Sequence, residues 1–130
     1  MSATGMSVSG CAEIMDAWTE LKKSTTTNAY IKFTIVSKKE GARRTGEFSF
    51  IEAVSRDDSK TNEEIWNQMI DGLGDDEGAF VVFDMRFEHG GRPMYRPLLV
   101  SWCPDTLGIA DKMLIGSNKD QVKRDLDGIQ

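Results

Sequence analysis

The stretch AFVVFDMRF at residues 79–87 constrains this chain more than any other part of it. It is rich in β-formers and opens as an unbroken apolar run, the pattern of a central strand. Residues 95–103, YRPLLVSWC, form the next strand, an antiparallel partner reached across the EHGGRP turn. Pro97 is tolerated near the start of that strand or at a bulge. Residues 29–36 alternate, with Ile31, Phe33 and Ile35 on one face and Lys32 and Thr34 on the other, as a half-buried strand does. The polar KKEGARRTG stretch turns into a weaker strand near residues 47–50.

Helical patterns flank these strands. Ser9 is placed to cap a helix running to about Lys23, with Cys11, Ile14, Met15, Trp18 and Leu21 along one stripe. Thr61 and Glu64 have capping-box spacing. Ile65, Trp66, Met69, Ile70 and Leu73 follow as an apolar face, and Gly74 stands where that helix would stop. Asp105 is placed to cap a helix carrying Ile109, Ala110, Met113 and Leu114. Ser117 and Asp120 repeat the capping-box spacing, opening a last helix with Val122 and Leu126 inward and Gly128 at its end. The order α-β-β-α-β-β-α-α predicts an α/β fold, a mixed sheet sandwiched between helices.

With 130 residues the chain suits one domain, taken as residues 9–130 behind a flexible tail of residues 1–8. An apolar fraction of 39% with 28% charged residues is ordinary for a soluble globular protein. No apolar run approaches the roughly 20 residues that span a bilayer. The opening MSATGMSVSG has no signal-peptide core. Two cysteines 92 positions apart form no disulfide framework and fit a reducing, cytoplasmic compartment. A net charge of −5 disfavours nucleic-acid binding, which needs clustered lysine and arginine. That charge is unevenly spread. Residues 52–77 carry nine acidic side chains against two basic ones, leaving the rest of the chain at +2. Between Lys112 and Arg124, four basic residues (Lys112, Lys119, Lys123, Arg124) face one acid, Asp120. This is either a solvated acidic segment beside a basic helix face, or a dipole whose basic end meets an acidic partner.

A catalytic centre is not assembled by the sequence. Cys103, His89 and Asp84 could in principle supply nucleophile, base and orienter. However, His89 lies in a glycine turn, and Cys103 ends an apolar strand as a buried structural thiol would. CxxC and HExxH spacings are absent, as are phosphate-cradling glycine loops. The DGLGDDEG stretch lacks the alternating oxygen ligands of a calcium loop. No metal, cofactor or enzymatic activity is expected.

The informative segment is WCPDTLGIADKMLIGSNKDQVKRDLDGI, residues 102–129. It resembles the ADF/cofilin family of actin-binding proteins, whose signature is W-x-P-D, a helix closing in K-M, then S-x-K-D and L-x-G-I. Trp102, Pro104, Asp105, Thr106, Lys112, Met113, Ser117, Lys119, Asp120, Leu126, Gly128 and Ile129 fall in register. VVFDMRF at residues 81–87 and WTELKK at the end of the first helix add weaker matches. The resemblance implies the family's ADF-homology, gelsolin-like fold, a mixed sheet between helices. It implies that the helix over residues 105–116 enters the apolar cleft between two actin subdomains, with Ile109, Lys112 and Met113 in contact. It also implies that Ser117, Lys119, Asp120, Lys123 and Arg124 face the acidic actin surface. Lys112, Lys119, Lys123 and Arg124 would further meet phosphoinositide headgroups. Arg96 matches a basic position of the filament-specific surface, with Arg92 close by. Ser7 is the candidate for actin contact and regulatory phosphorylation, since about −2 of added charge repels an acidic partner. Ser9 is as well read as a plain helix cap.

Some positions depart from the family pattern. Ala110 stands where a basic residue is usual, Asp111 adds an acid beside Lys112, and Ile115 stands where tyrosine is common. Family members usually continue past the position of Gln130 through another strand and helix, which implies a short member or a truncated chain with weaker severing. The expectation is a monomeric, cytoplasmic actin-cytoskeleton protein without a cofactor. It would bind actin monomers and filament sides and promote filament disassembly. A monomer sequesterer, or a non-severing side-binder of the coactosin type, is the alternative, and a Cys103-dependent hydrolase is a remote one.

Overall fold

Period-two alternation sorts each strand's side chains between two faces, and here both faces are covered. The computed structural model describes residues 8–23, 26–40, 43–74, 76–126 and 129. A 3-10 turn at Val8–Gly10 leads into α1 (Ala12–Leu21). The strands are β1 (Asn28–Glu40), β2 (Arg43–Ser55), β3 (Ala79–His89) and β4 (Arg92–Trp102). Helix α2 (Asn62–Asp71) connects β2 to β3, and α3 (Ile109–Asp125) follows β4. The sheet order is β2-β1-β3-β4.

The apolar run of β3 sits between β1 and β4 and is buried on both faces. Phe80 and Val82 join Ile14, Trp18, Phe33, Ile115 and Val122 in a core under α1 and α3. Val81 and Phe83 point the other way and pack with Tyr30, Ile65 and Met69 under α2. Phe33 stacks on Phe80 with centroids 5.5 Å apart, and Trp66 meets Phe83 edge-on at 5.2 Å. The β3–β4 hairpin closes with Gly90 and Gly91 at φ 60° and 78°. A two-residue turn of this hand needs left-handed backbone at both positions, which glycine alone adopts without strain.

Helices on both faces of a sheet match the expected α/β layering. Among the described residues, though, every ladder is antiparallel, where a mixed sheet was expected. Strand β2 also runs well beyond the expected residues 47–50. Several of its later residues, Ile51 among them, are exposed at the sheet edge and give no burial pattern.

Local signals fared unequally. At α2 the capping box forms: Thr61 Oγ1 accepts from the Glu64 amide and Glu64 Oε1 from the Thr61 amide, both at 3.1 Å. That helix stops at Gly72, two residues before Gly74. Ser9 does not cap α1. It lies in the 3-10 turn, and Cys11 is the N-cap without a side-chain bond. The cause is Val8, read as tail but fully buried in the α1–α3 core. Its amide donates to Asp125 Oδ2 at 2.9 Å. Asp105 does not cap α3, because residues 105–107 form a turn that buries Leu107 and the helix opens after Gly108. The two expected C-terminal helices are one. Ile115, Asn118, Val122 and Leu126 keep a single buried stripe. Ser117 therefore caps nothing, and its Oγ donates to the Met113 carbonyl at 2.6 Å. Gly128 and residues 1–7 lie outside the described residues.

Candidate functional site

The outer face of α3 carries most of the residues singled out in the sequence. The helix is anchored from below by its buried stripe. Gly78 lets it come close: a Cβ there would meet Ile115 Cγ1 at 2.8 Å. Side chains four apart lie one above the other on a helix. Ile109 and Met113 are such a pair, and they are 78% and 66% exposed. Asp120 continues their ridge, and Ser117 and Arg124 lie to one side of it, all exposed. Lys112, Lys119 and Lys123 share the other flank at spacings of seven and four. Lys119 and Lys123 are exposed; Lys112, expected to be exposed, is half-buried. Arg124 donates to Gln121 Oε1 at 2.8 Å.

The helix dipole supports this arrangement. Lys123 and Arg124 occupy the last turn of α3 and Asp111 the first, so each charge offsets the partial charge of its own end. Asp111, Asp76 and Glu77 border a cleft of about 290 Å³ between α3 and β1, floored by Ile35 and Ile115. Among the described residues, no group of side chains is placed to hold a metal ion.

Arg96 is exposed but does not join the α3 patch. It lies opposite Met85 on β4, on the sheet face that packs toward α2. It is six residues, roughly 20 Å, along the strand from Trp102 at the α3 end of the sheet. Arg92 is exposed at the hairpin turn. Ser7 lies outside the described residues. The chain enters them at Val8, which is bonded to the last turn of α3.

The hydrolase constellation does not form. His89 pairs with Arg92 at one end of the β3–β4 ladder, while Cys103 follows Trp102, which pairs with Ala79 at the other. Ten residues of strand, about 33 Å, separate those ends. Cys103 is also exposed, not the buried thiol expected, because the strand ends at Trp102, whose indole N–H is tied to the Gly74 carbonyl at 2.7 Å. Asp84 is 4% exposed and engaged by Arg86 Nε at 3.0 Å and Arg56 Nη2 at 3.8 Å. Burial, then the neighbouring Arg86, pull the Arg56 guanidinium below its usual range, and Asp84 opposes them. This cluster went unrecognised in the sequence. The only signal was an aspartate inside an apolar strand, where a charge needs a partner.

The sequence pattern that defines the cofilin/tropomyosin-type actin-binding proteins matches residues 5–130. The chain belongs to the cofilin/ADF family. Its similarity to individual members is partial. It is 45% identical over 56 residues to actin-depolymerizing factor 3 of Arabidopsis thaliana, covering 42% of this chain and 40% of that protein. To actin-depolymerizing factor 1 of rice (Oryza sativa subsp. japonica) it is 35% identical over 86 residues, 55% of this chain and 62% of the relative. The matched stretches thus span less than two thirds of either relative. The crystal structure of Plasmodium berghei actin depolymerization factor 2 superposes with a TM-score of 0.70 at 20% identity, over 91% of this chain and 78% of that one. At that identity the likeness establishes the cofilin/ADF fold. No helix of the described residues is long and apolar enough to cross a membrane.

Proposed function

We propose that this cofilin/ADF chain binds actin through the outer face of α3, with the β3–β4 hairpin as a second contact on filaments. It engages monomers and filament sides and promotes filament disassembly. One observation carries the reading: α3 is seated on the sheet by one stripe yet holds Ile109 and Met113 out to solvent beside a lysine flank. A rigid helix with apolar anchors and a charged rim is built for an apolar groove in an acidic partner. Most acidic side chains of residues 52–77 belong to other elements; Asp76 and Glu77 border the first half of α3, so Lys119 and Lys123, further along it, meet that partner with the least local repulsion. Arg96, on a different face and well away from α3, suits a second actin subunit more than the same one.

The same flank, Lys112, Lys119 and Lys123 with Arg124, supports competition between actin and phosphoinositide headgroups. Phosphorylation of Ser7 would add negative charge one residue before Val8, opposing an acidic partner. The chain acts as a monomer in the cytoplasm and has no catalytic role. Co-sedimentation with filaments, together with a fluorescence assay of labelled monomeric actin, tests the reading. Saturable binding to both forms and faster filament loss are expected; binding to neither form refutes it.

A further inference from the structure

The β3–β4 hairpin outruns the rest of the sheet. Among the described residues, strand β1 pairs with β3 only from Tyr30 opposite Phe83 to Phe33 opposite Phe80, and beyond Phe83 β3 pairs with β4 alone, from Asp84 opposite Pro97 to His89 opposite Arg92. A two-stranded ribbon has little stability of its own, so its direction must be set at its root. Arg96 lies one pair from that root, opposite Met85.

The root is a polar hub. The Asp84 carboxylate accepts from Arg86 Nε at 3.0 Å and lies 3.8 Å from Arg56 Nη2. Arg56 Nη2 also donates to the Asp84 carbonyl at 2.6 Å, and Arg56 Nη1 to Asn62 Oδ1 at 2.8 Å. Asn62 Nδ2 returns a bond to the Arg86 carbonyl. Arg86 Nη2 donates to the Thr26 carbonyl at 2.9 Å. The ribbon is thereby tied to the first residue of α2, to the residue after β2 and to the segment before β1. Arg86 also lies over the Tyr95 ring at 5.1 Å, which carries the restraint across to β4 beside Arg96. Buried ion pairs contribute little net stability, because desolvation offsets their attraction, but their geometry is demanding.

We propose that Asp84, Arg56, Asn62 and Arg86 are positioning residues for the filament contact: the hub fixes the angle at which the ribbon presents Arg96. This rests on the reading of the ribbon as a filament contact. The test compares the full chain with Asn62→Ala, Asp84→Asn and Arg96→Glu. It reads hydrogen exchange of the ribbon amides, filament affinity and monomer affinity. Asn62→Ala removes two hub bonds at the surface end and leaves the ion pairs in place, so it keeps the test valid if Asp84→Asn does not fold. Both hub variants are expected to speed exchange in residues 86–95. Both should weaken filament binding about tenfold with monomer affinity nearly unchanged, the size of effect that residues outside an interface exert. Arg96→Glu should weaken filament binding without changing exchange. If Arg96→Glu binds filaments normally, the ribbon is not a contact and both readings fall. If Arg96→Glu is weakened while Asn62→Ala is normal in exchange or filament affinity, the hub proposal alone is overturned. Equal loss of monomer and filament binding in Asn62→Ala overturns it as well, since that marks general damage.

Discussion

Replacing Met113 with alanine removes one of two exposed apolar side chains on α3 without touching either core. Met113 is 66% exposed in the free chain, and it lies outside both buried clusters. Fully burying a methionine side chain yields about 1.5–3 kcal/mol, so burying the two thirds still exposed offers about 1–2 kcal/mol on docking. Alanine retains only a small share of that. The expected loss in monomeric-actin affinity is therefore about five- to twenty-fold. Folding stability should move by no more than about 0.5 kcal/mol, as for an ordinary surface substitution. Titration of labelled monomeric actin reads the first quantity and thermal unfolding the second. Ile109→Ala should behave alike, and because Ile109 and Met113 are neighbours on one helix ridge, the double variant should depart from additivity. Unchanged affinity in Met113→Ala would refute the assignment of this face. A large fall in unfolding temperature with no binding change would show that the methionine works for the fold instead.

Other substitutions separate binding from folding. Lys112→Glu combined with Lys119→Glu should abolish detectable actin binding; because Lys112 is half-buried, a small loss of thermal stability should accompany it. Gly78→Ala forces Ile115 and Leu107 aside and should cost about 1–3 kcal/mol in denaturant unfolding. Thr61→Ala breaks the α2 capping box and should cost about 1 kcal/mol while leaving monomeric-actin binding intact, since α2 lies on the sheet face opposite α3.

How far the sequence could be read depended on whether a signal was local. Strand β3 was legible because an apolar run that includes Val81, Val82 and Phe83 needs cover on both faces, and the glycine pair after His89 marked its turn. Thr61 with Glu64 and Ser117 with Asp120 have the same spacing, yet only the first pair caps a helix. Before Thr61 the chain forms a turn, so free amides exist to be capped. Before Ser117 the helix is already running, held by Ile115 and Val122 on the same buried stripe, and no free end is left. The burial of Val8 was invisible because the α3 side of its core, with the Asp125 carboxylate that holds its amide, lies more than a hundred residues later. The hub at Asp84 was invisible for the same reason: Arg56 and Asn62 come from elements whose positions follow only from the folded sheet. The helix proposed to bind actin was recognisable from its residues, though as two helices rather than one. What needed the structure was which of them face outward, and that Arg96 stands on another surface.

The central claim is that α3 meets actin through its outer face, and the most direct measurement is an NMR titration of the labelled chain with monomeric actin. Resonances of Ile109, Lys112, Met113 and Lys119 should broaden or shift first, while those of α2 stay in place. Perturbations centred on α2, or spread without regard to α3, would contradict it.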